Sequence, residues 1–339
     1  MTKKVTVITC TFNKGEFNRA STQSIINQTY QDFEYIIVND GSTDNTREIL
    51  DEFTRLNNPQ LKIIHQKNKG FVDSLIDTLE GVDTPYIAIH DAGDISHPTR
   101  LEKQIELLES NSSIGAVGCH VKKSTHEGKT IRTTKDKDNK LLINDPQELF
   151  FGNYYTHGEV TFRRSTYTKA GGYRRFFKYA QDRDLWLRML EFSRLAKVDS
   201  ILYEQIHIPN SSVGCDYKKV EYQAKLSCFA IFLSRQRLQG MSNQVEEKLD
   251  ILFEEFCSNL DIEDKNRISS RIMETAGINY IQTGNHTVLA NAARRVLTIN
   301  PENHPPKRYI KLKILTIVDK FGHTNFWQFF IKKFFNTFY

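Results

Sequence analysis

Four short apolar runs near the N-terminus alternate with segments of helical spacing. Lys4 to Cys10 reads KVTVITC, Glu34 to Val38 EYIIV, Leu61 to His65 LKIIH and Tyr86 to His90 YIAIH, each the length of a strand and rich in β-branched residues. Between them, Asn18 to Gln28, Thr43 to Leu56 and Phe71 to Leu79 repeat apolar residues at helical intervals. Strands and helices in alternation bury their apolar faces best as a mainly parallel sheet flanked by helices, so the pattern predicts an α/β nucleotide-binding architecture. Ligands of such sheets lie beyond the carboxyl ends of the strands. Three loops leaving those ends are polar or acidic: Thr9 to Asn13, Asn39 to Asp44 and Asp91 to Ser96.

Further along, PTRLEKQIELLES predicts a helix over Pro98 to Ser110, with proline in the first turn where its missing N–H is harmless. Ile114 to His120 reads as a strand, and Ser124 to Asn144 as an exposed loop or irregular hairpin. From Asp216 the pattern is helical. Ile278 to Asn300, closed by PENHPP, predicts two short helices resembling one helical-repeat unit. A chain of 339 residues is long for one domain, and the pattern divides it into 1–215, 216–304 and 305–339.

An apolar fraction of 39% with 26% charged residues excludes a disordered or multi-span membrane chain. The net charge of +5 is concentrated at the end, where 305–339 carries seven Lys/Arg against one Asp. That is a basic appendage rather than the basic body of a nucleic-acid binder. Five widely spaced cysteines (Cys10, Cys119, Cys215, Cys228, Cys257) include no CxxC pair and read as thiols of a reducing compartment. MTKKVTVITCTFN is too polar for a signal peptide, and no apolar run reaches the roughly 20 residues of a spanning helix. Residence on the cytoplasmic side is the expectation.

Asp40-Gly41-Ser42-Thr43-Asp44 follows a strand and opens a helix; its residues suit a turn and cap, or a carboxylate facing a nucleobase N–H. Asp91-Ala92-Gly93-Asp94 crowds two acids at a strand end, where their repulsion calls for a divalent cation or hydrogen-bond donors. Hard oxygen ligands completed by a diphosphate suit Mg²⁺ or Mn²⁺. In Gln181-Asp182-Arg183-Asp184, either acid caps a helix or serves as a general base.

Seven segments in order, VITCTFN, QTYQDFEYIIVNDGSTDNT, NKGFVDSL, YIAIHDAGDISHPTRLEKQIELLE, HGEVTFRRS, GGYRRF and AQDRDLWLR, resemble the family 2 glycosyltransferases of the GT-A fold over about Lys4 to Gly214. The resemblance implies that Thr11, Phe12 and Asn13 form the first nucleotide loop and that Asp40 contacts the base. Lys69 and Gly70 would close over the nucleotide, and Asp91 would be the first acid of the Asp-x-Asp motif. Gly93 stands where its second acid is expected, leaving the metal to Asp91 and Asp94, with His207 near the diphosphate or metal. Asp182 matches the base that activates the acceptor, with Gln181 where a Glu often precedes it. The implied reaction is an inverting displacement from a nucleoside-diphosphate sugar, a UDP-sugar foremost, onto a glycan or lipid-linked acceptor in surface polysaccharide or glycolipid assembly.

Two rival readings remain. A nucleotidyltransferase would carry a Gly-rich, basic loop after the first strand, where this chain has CTFNKGEFN. A decayed, nucleotide-sugar-binding scaffold would be favoured by Gly93 and Gln181 and opposed by Asp40, Asp91, Asp94 and Asp182. The tail, ending FGHTNFWQFFIKKFFNTFY, reads either as a terminal helix docked on the protein or as an interfacial helix on an anionic membrane.

Overall fold

The apolar runs become strands of one sheet in the computed structural model, which describes residues 3–135, 140–207, 216–241, 248–283 and 286–300. The chain divides into two compact units, Met1–Ile208 and Pro209–Tyr339. The first unit begins with β1 (Val5–Thr11), α1 (Phe17–Ile26), β2 (Phe33–Asp40), α2 (Thr46–Arg55), β3 (Leu61–Gln66), α3 (Phe71–Glu80) and β4 (Tyr86–Ile89). It continues with β5 (Ile95–Ser96), α4 (Arg100–Ser110), β6 (Ile114–Thr125), β7 (Thr130–Thr133), β8 (Leu142–Ile143), β9 (Thr161–Arg163), α5 (Arg164–Lys169), α6 (Gln181–Met189) and β10 (Arg194–His207).

The sheet order is β3-β2-β1-β4-β9-β6-β10-β5, with β7 added to β6 and β8 to β10. β1 is parallel to β2 and β4, β2 to β3, and β6 to β10, while β9 runs antiparallel between β4 and β6. Every residue of β1 and β4 is buried, as a central strand covered on both faces requires. The flanking helices owe their seating to spacing: α2 buries Thr46, Ile49, Leu50 and Phe53, one stripe at intervals of three and four. Leu101, Ile105 and Leu108 of α4 do the same against Val5, Tyr35 and Val117.

Two expectations change, and one open alternative is resolved. Helix α4 begins at Arg100 with Thr99 as its cap, so Pro98 precedes the helix instead of entering its first turn. The segment after His120 is the hairpin alternative, because β6 runs on to Thr125 and β7 returns against it. In the second unit, α7 (Tyr217–Leu238), α8 (Leu249–Ser258), α9 (Ile262–Thr283) and α10 (His286–Ile299) replace the expected short pair: its first member is the end of the 22-residue α9. Ile268, Ile272 and Ala276 are buried at intervals of four and hold α9 as one helix. A doubly hydrogen-bonded pair, Arg295 to Glu221 at 2.6 Å for each contact, ties α10 to α7. The tail over 305–339 and Cys215 lie outside the described residues. Cys10, Cys119 and Cys228 are buried thiols outside any disulfide, and no described helix is long and apolar enough to cross a membrane.

One side chain pins the carboxyl edge of the sheet. Arg100, with no exposed surface, donates to Ser96 Oγ (2.7 Å) and to the carbonyls of Ile89 and Gly158 (3.1 Å each). Arg100→Ala is expected to destabilise the first unit by about 3 kcal/mol, since it leaves buried carbonyls unpaired and a cavity behind. Urea unfolding followed by tryptophan fluorescence measures it, because Trp186 is wholly buried in that unit.

Candidate active site

The loops after β1 and β2 are laced together. Asn13, with φ +50°, donates its backbone N–H to Ser42 Oγ (3.0 Å) and accepts the Thr43 N–H (2.7 Å). Thr11 Oγ1 donates to Asn18 Oδ1 (2.9 Å), while the Phe12 side chain remains half-exposed. Asp40 is buried and turned toward the next loop: Oδ1 accepts Gln66 Nε2 (2.8 Å) and the Lys69 N–H (3.0 Å), and Oδ2 accepts the Gly70 N–H (2.9 Å). Burial alone would raise its pKa, but these donors and Ser74 outweigh that and hold the carboxyl below its ordinary value. Asp40 thus fastens the Lys69-Gly70 turn that opens α3. Gly41 has φ +71° and passes so close to Asn68 that a Cβ would stand 2.5 Å from its amide nitrogen.

At the end of β4 the two acids separate. The Asp91 side chain is 31% exposed, and its backbone N–H donates to the Tyr203 hydroxyl (3.0 Å). Gly93, with φ +93°, occupies backbone that L side chains adopt rarely, and its N–H donates to Ser21 Oγ (3.1 Å). Asp94 is buried, and its Oδ1 accepts the Ile206 N–H (2.9 Å). Burial, then the charge of Asp91, pushes its pKa well above the ordinary carboxylate value. His207, one residue beyond Ile206, ends β10 in register with Thr125. Among the described residues no three His, Cys, Asp or Glu side chains stand together as a metal site, so Asp91, Asp94 and His207 form no such cluster. The reason is the path of the loop, which turns Asp94 under onto β10.

Asp182, partly exposed in the first turn of α6, accepts Asn153 Nδ2 at 3.0 Å. Ala180 before it holds φ +56°. His157, which opens HGEVTFRRS without any sign of its role in the sequence, lies beside Asp91 and near enough to Asp182 to feel its charge. Its Nδ1–H donates to Asp91 Oδ1 (3.4 Å) and its Nε2 pairs with the Tyr173 hydroxyl (3.0 Å). Burial lowers the His157 pKa, yet Asp91, then Asp182 and Glu159, raise it further, to a net increase. The charge of Asp182 also acts on Tyr173. One edge of the sheet therefore gathers a hydrogen-bonded turn suited to a nucleotide, a partly exposed carboxylate suited to a cation, and a second carboxylate with lone pairs left for a hydroxyl proton.

The sheet is parallel at its centre and carries an added antiparallel strand beside β4. The profile described as Glycosyl transferase family 2 matches residues 6–181, and the chain belongs to that family. It is 32% identical to an uncharacterized glycosyltransferase of Haemophilus influenzae, over 66% of this chain and 71% of the relative. It is 31% identical to the O-antigen biosynthesis glycosyltransferase WbnJ of Escherichia coli, over 55% and 71% respectively. In fold it is similar to the mannosyltransferase PcManGT of Pyrobaculum calidifontis, solved with GDP-Man and Mn²⁺, with a TM-score of 0.52, 15% identity, and coverage of 93% of this chain and 86% of that one.

Gly41→Ala is expected to cost about 1–3 kcal/mol, because it adds left-handed backbone strain to a backbone collision. Amide hydrogen exchange should quicken first at Lys69 and Gly70, whose N–H groups rest on Asp40, relative to the sheet.

Proposed function

We propose that the chain transfers a sugar, with inversion, from a nucleoside-diphosphate sugar to a hydroxyl of a glycan or lipid-linked acceptor. The observation that carries this reading is a pair of partly exposed carboxylates around the buried His157–Tyr173 contact: Asp91 is hydrogen-bonded to His157, and Asp182 lies near enough for its charge to act on both His157 and Tyr173. The acceptor oxygen attacks the anomeric carbon, the bond from that carbon to the diphosphate oxygen breaks, and the acceptor proton passes to the Asp182 carboxylate. Asn153 holds one oxygen of that carboxylate. The loops of Thr11, Phe12 and Asn13, of Asp40, and of Lys69 and Gly70 take the nucleotide, with Asp40 acting by shaping the turn.

A Mg²⁺ or Mn²⁺ ion fits this chain as a one-carboxylate site. Asp91 would hold it, the diphosphate and water completing the shell, as is usual for these ions. When bound, the cation neutralises charge on the departing diphosphate. Asp94, buried and engaged by the Ile206 N–H, serves the loop. The relative named for O-antigen biosynthesis supports surface-polysaccharide assembly as the setting, and membrane attachment through 305–339 is part of the same proposal.

Thermal shift over a panel of UDP- and GDP-sugars, with and without Mn²⁺, is expected to select one donor, with the shift enlarged by Mn²⁺ and the enlargement lost in Asp91→Asn. Stabilisation by a donor without turnover on any acceptor would favour the decayed scaffold, and no stabilisation by any member would overturn nucleotide-sugar binding itself. With the selected donor, Asp182→Asn should preserve the thermal shift and lower turnover by about 10²- to 10⁴-fold. Retained turnover would assign the base elsewhere.

A further inference from the structure

His157 departs from local backbone preference in order to reach three segments of the chain. Its φ of +93° is one that L side chains rarely adopt, and its side chain is nevertheless buried. Gly158 beside it has the same cause in view: a Cβ there would lie 2.3 Å from the Tyr203 hydroxyl oxygen and 2.8 Å from Asp91 Cγ. The dipeptide is therefore pressed against the Asp91 carboxylate, and the Gly158 carbonyl is fixed from behind by Arg100 (3.1 Å). From this position the His157 ring meets three segments. It binds Asp91 after β4, binds the Tyr173 hydroxyl in the Gly171-Gly172-Tyr173 turn that leads toward α6, and sets its edge against Phe71, whose ring lies 5.6 Å away at the start of α3. Tyr173 is held in turn, its N–H donating to the Tyr167 hydroxyl (3.2 Å).

We propose that His157 is a positioning residue of the transfer reaction, fixing the donor-side carboxylate Asp91 relative to the acceptor-side turn of Tyr173 so that both halves of the site hold one geometry. The inference rests on the donor and acceptor sides assigned above to Asp91 and Asp182. A link that matters once both substrates are in place lowers kcat when cut and leaves donor affinity nearly unchanged.

His157→Asn keeps a residue that tolerates left-handed backbone while shortening the side chain, and Tyr173→Phe removes only the hydroxyl. Each is expected to lower kcat about tenfold or more per folded molecule, with the affinity for the parent's nucleoside diphosphate, read by calorimetry without added metal, within threefold of the parent. The double variant should be no slower than His157→Asn alone, because the two residues form one link. Additive losses, a kcat within twofold of the parent in either single variant, or a fall in nucleotide affinity that accounts for the whole loss would each overturn the proposal. Should His157→Asn fail to fold, Tyr173→Phe alone decides by the same kcat and affinity readings. Retained turnover in Asp182→Asn would refute the base assignment without touching the His157–Tyr173 coupling, so the two failures are distinguishable.

Discussion

Arg100 is a charged side chain buried without a carboxylate within ion-pair distance among the described residues, and its position constrains the site around it. Taking a guanidinium out of water is costly, so the groups that replace water around it must stay where they are. Here they are the Ile89 carbonyl at the end of β4, the Gly158 carbonyl and Ser96 Oγ, with the Tyr203 ring beneath the cation at 5.4 Å. Burial lowers the Arg100 pKa, which expresses the same cost. Each neighbour then fixes a part of the site. Ile89 sets the exit of β4 into Asp91, Gly158 sets the loop pressed on that acid, and Tyr203 accepts the Asp91 N–H. One desolvated cation, held by carbonyl dipoles, thus positions both sides of the Asp91 carboxylate.

The second constraint is repulsion between acids brought to the same edge. Asp91 and Asp94 resolve it by inequality: Asp91 keeps solvent exposure and a His157 donor, while Asp94 sinks beneath the loop onto β10. Gly93 is the hinge of this arrangement, since its φ of +93° lets the chain turn between them. A glycine in place of the expected acid thus has a backbone cause and is weak evidence for decay. Asp40 follows the same logic, spending its charge on the N–H groups of Lys69 and Gly70 and so converting an acid into a rigid turn.

The sequence made the first half of the sheet legible because β1, β2 and β4 are buried on both faces and read as continuous apolar runs, while helices such as α2 show one clean stripe. It hid β10, whose RLAKVDSILYEQIH mixes charged and apolar residues and shifts register against β6 near Val198 and Ile201. Strands β5 and β9, two and three residues long, are too short to announce themselves. The residues proposed for the site could be singled out where they are acids at a strand end or a helix start, as with Asp40, Asp91 and Asp182. His157, Asn153 and Arg100 could not, because their roles depend on partners 66, 29 and 58 positions away.

Backbone strain offers a separate line to the same site. Four described non-glycine residues have positive φ: Asn13, Asn57, His157 and Ala180. Asn57 sits in the turn between α2 and β3, a conformation asparagine accepts easily. The other three belong to the loop after β1, the loop facing Asp91 and the cap of the Asp182 helix. For alanine and a buried histidine the left-handed region carries a conformational cost of about 1–3 kcal/mol each, maintained only where surrounding contacts over-determine the backbone. At His157 those contacts are identified: Asp91 and Tyr173 on the ring, Arg100 on the following carbonyl. The strain and the hydrogen bonds therefore have a common explanation, in which the fold gives up local stability to hold the His157 ring between Asp91 and Tyr173.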